Sequence, residues 1–176
     1  QARAGGEVAT VAQMSARANG TAAAPGGLVD RFGRVATDLR ISLTDRCSLR
    51  CSYCMPAEGL PWIPRGELLR DDELARLAAL FVRLGVDTVR LTGGEPLLRP
   101  GLPGIVAMLA GLDPAPEISL TTNAIGLSHL AAPLAAAGMN RINISLDTLD
   151  RERFHAITRR DRLDDVLEGI EAAAAA

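Results

Sequence analysis

The sequence predicts an α/β fold built on a parallel sheet, and three observations carry that prediction. Short β-branched, apolar runs alternate with stretches of helical period from residue 38 onward. The spacing leaves room for one crossover helix per strand, which makes βαβ units. Each polar or glycine-bearing piece follows a strand: TDRC, TGGEP, TTN and SLDT, in that order. Parallel α/β folds keep their chemistry at the carboxyl ends of strands, so four motifs are expected on one rim.

Residues 1–27 (QARAGGEVATVAQMSARANGTAAAPGG) are small and polar with no sustained period, and read as a disordered leader. Arg3 and Arg17 against a single acid, Glu7, leave a transit peptide for the mitochondrial matrix as the alternative. Residues 28–176 form the core domain. Strands are expected at 38–44, 86–92, 117–122 and 140–146. In the first helix Leu74, Leu77, Ala78, Phe81 and Leu84 share a face. Asp71, Asp72 and Glu73 suit its N-terminal dipole, and Gly85 ends it. A shorter helix covers 102–111. Ser128 is expected to cap the third, which ends at Gly138. A short helix starts at Asp150, and a longer one runs from about Leu163 to the end.

Composition narrows the function classes. A chain of 176 residues with 48% hydrophobic content fits one core. Nineteen basic and 21 acidic residues give a formal charge of −2, so no field recruits nucleic acid or an acidic membrane. No apolar run is long enough to span a bilayer or to serve as a signal-peptide core. The odd number of cysteines, clustered within eight positions, does not describe a disulfide framework and points to a reducing, cytoplasmic compartment.

Those cysteines are Cys47, Cys51 and Cys54, in DRCSLRCSYCMP. Cys51 and Cys54 alone could form a redox pair, but such a pair needs no third thiol. A structural zinc wants four ligands. His129 and His155 lie far off on expected helices without ligand spacing, and read as surface or packing residues. Three thiolates on a short loop suit an iron–sulfur cube with one iron left open to bind something else.

The C-x3-C-x2-C run with Tyr53 before its last cysteine, together with Gly93-Gly94-Glu95-Pro96 after the second strand, resembles the radical S-adenosylmethionine (radical SAM) enzymes. Glycines in GGEP would let backbone approach a ligand closely. Within that superfamily, DRFGRVATDLRISLTDRCSLRCSYCMPAEGL, VRLTGGEPLLRPGL, SLTTN and INISLDTLDRERF are similar to the GTP 3′,8-cyclases, from about Leu28 to Glu171.

The resemblance implies a partial, TIM-like (βα) barrel of radical SAM type, cut after about four βα units. It implies a [4Fe–4S] cluster on Cys47, Cys51 and Cys54. Tyr53, Gly94 and Ser145 would contact S-adenosylmethionine, and Arg40, Arg90 and Thr121 would contact GTP. Arginine forks suit phosphate oxygens, and an ion pair at a strand end is the alternative for both arginines. The implied reaction is a lyase step that begins molybdopterin (molybdenum cofactor) biosynthesis. A 5′-deoxyadenosyl radical would take hydrogen from C3′ of GTP, the carbon radical would close on C8, and one-electron reduction and protonation of the resulting aminyl radical would give 3′,8-cyclo-7,8-dihydro-GTP. No protein side chain beyond the cluster and S-adenosylmethionine is expected to be catalytic. Implied partners are a flavodoxin- or ferredoxin-like electron donor, a downstream cyclic pyranopterin monophosphate synthase and a second copy in a homodimer.

The chain departs from the family pattern in two informative places. Ala124 stands where the family usually has glycine after TTN, which strains or shifts that turn if the backbone needs positive φ. The chain ends in VLEGIEAAAAA, without the family's C-terminal region and its second three-cysteine cluster. The expectation is therefore a fragment whose last strand presents an open edge, holding one cluster and not competent for full turnover by itself. Other radical SAM chemistry on a peptide or RNA, and an inactive fragment that folds around a cluster or zinc, are the alternative functions.

Overall fold

The computed structural model describes residues 13–16 and 27–176. Five strands form one sheet in chain order: β1 (Gln13–Ala16), β2 (Ala36–Ser42), β3 (Thr88–Thr92), β4 (Glu117–Thr122) and β5 (Arg141–Ile144). From β2 to β5 all neighbours are parallel. The crossovers carry α1 (Asp71–Arg83), α2 (Leu102–Ala110) and α3 (Ala131–Ala136), and α4 (Arg151–Thr158) and α5 (Leu163–Ala175) follow β5. The four parallel strands fall where the sequence puts them, displaced by at most two residues at an end.

β1 was not expected. It lies inside the stretch read as a leader and pairs antiparallel with β2, through Gln13↔Arg40 and Met14↔Leu39. The remainder of that stretch, up to residue 26, lies outside the described residues. At the other side β5 pairs only with β4 among the described residues, so its far edge is open.

The sheet has two unlike faces because its strands alternate with period two. Leu39 and Ile41, Val89 and Leu91, and Ile118 and Leu120 point to one side and are almost fully buried. They join Leu74, Ala78, Ile105, Leu109, Leu134 and Val166 from the helices in one core. The other side carries Asp38, Arg40 and Ser42, then Thr88, Arg90 and Thr92, then Ser119 and Thr121, then Arg141 and Asn143. Register sets Arg40, Arg90, Ser119 and Arg141 in one row across four strands.

Helix ends follow local chemistry. The Glu73 carboxylate accepts the Arg70 N–H at 2.9 Å before α1, and Gly85 turns the chain after it at φ +98°. The Asp150 carboxylate accepts the Arg153 N–H at 2.9 Å and caps α4, whose start there the sequence places. Ser128 does not cap α3. It sits inside a 3-10 turn, Leu127–His129, and α3 starts at Ala131 with no side-chain cap. Pro133 in the first turn of α3 has no N–H, which leaves one fewer orphan donor for a cap to satisfy. No helix among the described residues is long and apolar enough to cross a membrane.

Candidate active site

The carboxyl ends of the four parallel strands open on one cavity of about 230 Å³. The loop after β2 lines it with Cys47, Cys51, Tyr53 and Cys54. Gly93, Gly94 and Glu95 come from the turn after β3, Thr121 to Asn123 from the end of β4, and Ser145 and Asp147 from beyond β5. Arg40 reaches it from β2. Every site residue expected from the sequence lines this cavity except Arg90. His129 and His155 are exposed and do not line it.

The three thiols are unpaired: Cys51 is buried, Cys47 half-buried and Cys54 exposed. Burial pushes the Cys47 and Cys51 thiols above their ordinary value, and neighbouring sulfurs add to the rise. Metal loading here must therefore displace protons. Among the described residues no three His, Cys, Asp or Glu side chains converge closely enough to share a single ion. A cube places each thiolate on a different iron, so three soft donors around an open cavity fit an iron–sulfur cluster.

The GGEP turn packs directly on the cysteine loop. Gly94 N–H donates to Thr44 O and Glu95 N–H to Arg46 O, both at 2.7 Å. A Cβ on Gly93 would strike Thr44 O, and one on Gly94 would strike Arg46 O and Asp45 O. The neighbouring backbone by itself already demands both glycines. Glu95 is 1% exposed. Its carboxylate accepts from Thr122 Oγ1 at 2.6 Å, Asn123 N at 2.8 Å and Leu97 N at 3.0 Å. Burial nevertheless raises its pKa, the three donors offsetting the rise only in part.

Asn123 extends this network to the cysteines. Its Oδ1 accepts the Ile125 N–H at 3.0 Å, which orients Nδ2 toward Ser48 Oγ at 3.0 Å and Cys47 Sγ at 3.9 Å. Ala124 follows at φ +66°, fully buried, so the turn keeps the left-handed geometry that glycine would favour. Tyr53 donates its hydroxyl to Asp147 Oδ2 at 2.9 Å, linking the cysteine loop to the segment after β5. Partial burial, and then that hydrogen bond, raise the Tyr53 pKa.

Arg40 and Arg90 are register partners on the polar face. Arg40 is exposed, its Nη2 3.5 Å from Thr92 Oγ1. Arg90 instead donates from Nη2 to Asp38 Oδ2 at 2.9 Å, which is the ion pair named as the alternative for it. Among the described residues the Arg90 Nε and the hydroxyl of its register partner Ser119 are buried without partners. The roles of Glu95, Asn123 and Asp147 are not evident from the sequence, although all three stand inside the quoted motifs.

Comparison with known proteins agrees with this geometry. The family described as Radical SAM superfamily matches residues 41–176. The GTP 3′,8-cyclase of Mycobacterium marinum is 64% identical over 152 residues, covering 86% of this chain and 42% of that protein. The GTP 3′,8-cyclase of Streptomyces coelicolor is 61% identical over 147 residues, covering 83% and 43%. The chain thus spans less than half the length of these relatives. Among solved structures, Streptococcus suis SuiB bound to S-adenosylmethionine aligns with a TM-score of 0.55 at 21% identity, over 76% of this chain and 30% of that one. That identity supports a shared fold and no more. With the family match running from β2 to the last helix, across all three cysteines and the GGEP turn, the chain belongs to the radical SAM superfamily.

Proposed function

We propose that this chain carries the cofactor-binding and triphosphate-gripping parts of a GTP 3′,8-cyclase. One observation supports the substrate class beyond the relatives' names. Arg40 and Arg90 stand side by side on the polar sheet face, with Arg40 exposed at the cysteine-lined cavity. Two guanidinium forks at one level suit the oxygens of a polyphosphate.

When bound, a [4Fe–4S] cluster on Cys47, Cys51 and Cys54 supplies one-electron reduction of S-adenosylmethionine. The chain's own residues bind and orient. Gly94 and Tyr53 present backbone groups, and Ser145 a hydroxyl, to the polar end of S-adenosylmethionine. Thr121 faces the GTP from the end of β4. At about 230 Å³ the cavity is smaller than most small-molecule sites, so the nucleotide extends from it over the polar face. Holding C3′ of the ribose at the cavity mouth and excluding water is the positioning work asked of these residues. The cytoplasm of a bacterium is the proposed setting, since the relatives named above are bacterial.

Anaerobic reconstitution followed by equilibrium dialysis with GTP tests the reading. GTP should bind, and Arg40→Ala and Arg90→Ala should each weaken binding at least tenfold. Failure of the reconstituted chain to develop iron–sulfur absorption, or GTP binding indifferent to both arginines, would sink it. SuiB with its precursor peptide also aligns, at a TM-score of 0.53 and 19% identity, but that similarity extends to fold alone and selects no substrate.

A further inference from the structure

Arg159 occupies an unusual position. It ends α4 in the left-handed region, at φ +55° and ψ +27°, where a side chain is disfavoured and glycine is the ordinary choice. Its guanidinium turns back across the fold. Nη1 donates to Arg50 O at 2.9 Å and to Met55 O at 3.1 Å, two carbonyls that bracket Cys51 and Cys54. The same helix end holds the loop through its backbone: Thr158 O accepts the Arg50 N–H at 2.9 Å, and Ile157 O accepts the Ser52 N–H at 2.8 Å. Within itself the loop closes through the Cys54 and Met55 N–H groups on Cys51 O, the Leu49 N–H on Cys47 Sγ, and Arg50 Nη1 on Cys47 O and Leu49 O.

We propose that Arg159 is a positioning residue that clamps the cysteine loop into its cluster-binding shape before any metal arrives. The inference rests on reading the three cysteines as cluster ligands. A short loop carrying three thiols gains from preorganisation, because ordering it at the moment of binding would weaken the affinity. The last carbonyls of α4 lack helical partners and are ready acceptors for the loop's N–H groups. Arg159 completes the grip by donating to carbonyls that those N–H groups leave facing inward. Glycine would satisfy the backbone of residue 159 but could not make this contact.

The test uses the full chain, with Arg159→Met and Arg159→Gly removing the donors and Arg159→Lys keeping a cationic donor. Without metal, Cys51 is the internal probe, since it is buried while Cys54 is exposed. Iodoacetamide should alkylate Cys51 about fivefold faster in the Met and Gly variants and within twofold of wild type in the Lys variant. Cys54 should be unchanged. After anaerobic reconstitution, iron loss to a chelator should be at least threefold faster in the Met and Gly variants. Unchanged Cys51 alkylation in both overturns the proposal. So does a rise that is equal at all three thiols and matched by a lower melting temperature, which would make Arg159 a residue of global stability. If wild type takes up no cluster yet Cys51 responds as expected, the clamp stands and the cluster reading fails.

Discussion

Replacing Gly94 by alanine separates two reasons for a glycine. If the residue is small only so that a ligand can come close, the ligand-free chain should tolerate a methyl group. The structure says otherwise. The new Cβ would fall inside 3.0 Å of Arg46 O, Asp45 O and Arg46 C, all backbone atoms, so the cysteine loop or the GGEP turn must move. Overpacking of this kind costs roughly 1–3 kcal/mol. Movement also stretches the 2.7 Å hydrogen bonds from Gly94 N–H and Glu95 N–H to that loop, each worth about 1 kcal/mol. The sum is about 3–5 kcal/mol, against a typical total stability of roughly 5–15 kcal/mol. Urea unfolding of the metal-free chain, followed by far-UV circular dichroism, reads this directly. With a slope of about 1–3 kcal/mol per molar urea, the midpoint should fall by on the order of 1–5 M. A midpoint within about 0.5 M of wild type, with weakened S-adenosylmethionine binding, would refute packing as the cause.

Four other substitutions probe the frame around the site. Because the Glu95 pKa is raised by burial, the native state holds its proton above the pH at which the unfolded chain releases it. Stability should therefore fall as pH rises from about 4.5 through the raised value, by up to ~1.4 kcal/mol per pH unit. Urea midpoints across that range should lose this slope in Glu95→Gln, and an identical slope in both proteins would exclude Glu95 as its source. Ala124→Gly relieves about 1 kcal/mol of left-handed strain, but loses a buried methyl worth about 0.8 kcal/mol and frees the unfolded backbone by about 0.4–1 kcal/mol. The net change should stay within about 1 kcal/mol in the same assay, whereas Gly169→Ala, whose Cβ would strike Ala124 O, should cost about 1–3 kcal/mol. Arg99 ties β2 to α1 by donating to Leu43 O at 3.2 Å, Leu69 O at 2.7 Å and Asp71 Oδ1 at 2.6 Å. Arg99→Met should cost roughly 2–3 kcal/mol, and a melting temperature within a degree of wild type would contradict that.

What the sequence made legible was local. Cysteine spacing, the GGEP run, TTN and SLD are each readable within a few residues, and parallel topology then brings them to one rim. Their supports are not local. Arg159 and the loop it grips are about a hundred residues apart, and the Asp38–Arg90 pair spans two strands separated by a helix. One further signal was present but easily passed over. A parallel sheet covered on both faces should show nearly continuous apolar strands. Here DLRIS, TVRLT, EISLTT and RINI alternate, with Arg40, Arg90, Ser119 and Arg141 interrupting the leucines and isoleucines at every second place. Such alternation in a parallel sheet means that one face is not buried in a core. Buried arginine is costly unless paired, and in this row Arg90 pairs with Asp38 and Arg141 with Glu117, while Arg40 is exposed to water. The polar face is therefore written into strand periodicity. The cysteines lie within the superfamily match, whereas Arg40 and Arg90 on this face are the residues on which the proposed substrate reading is to be tested.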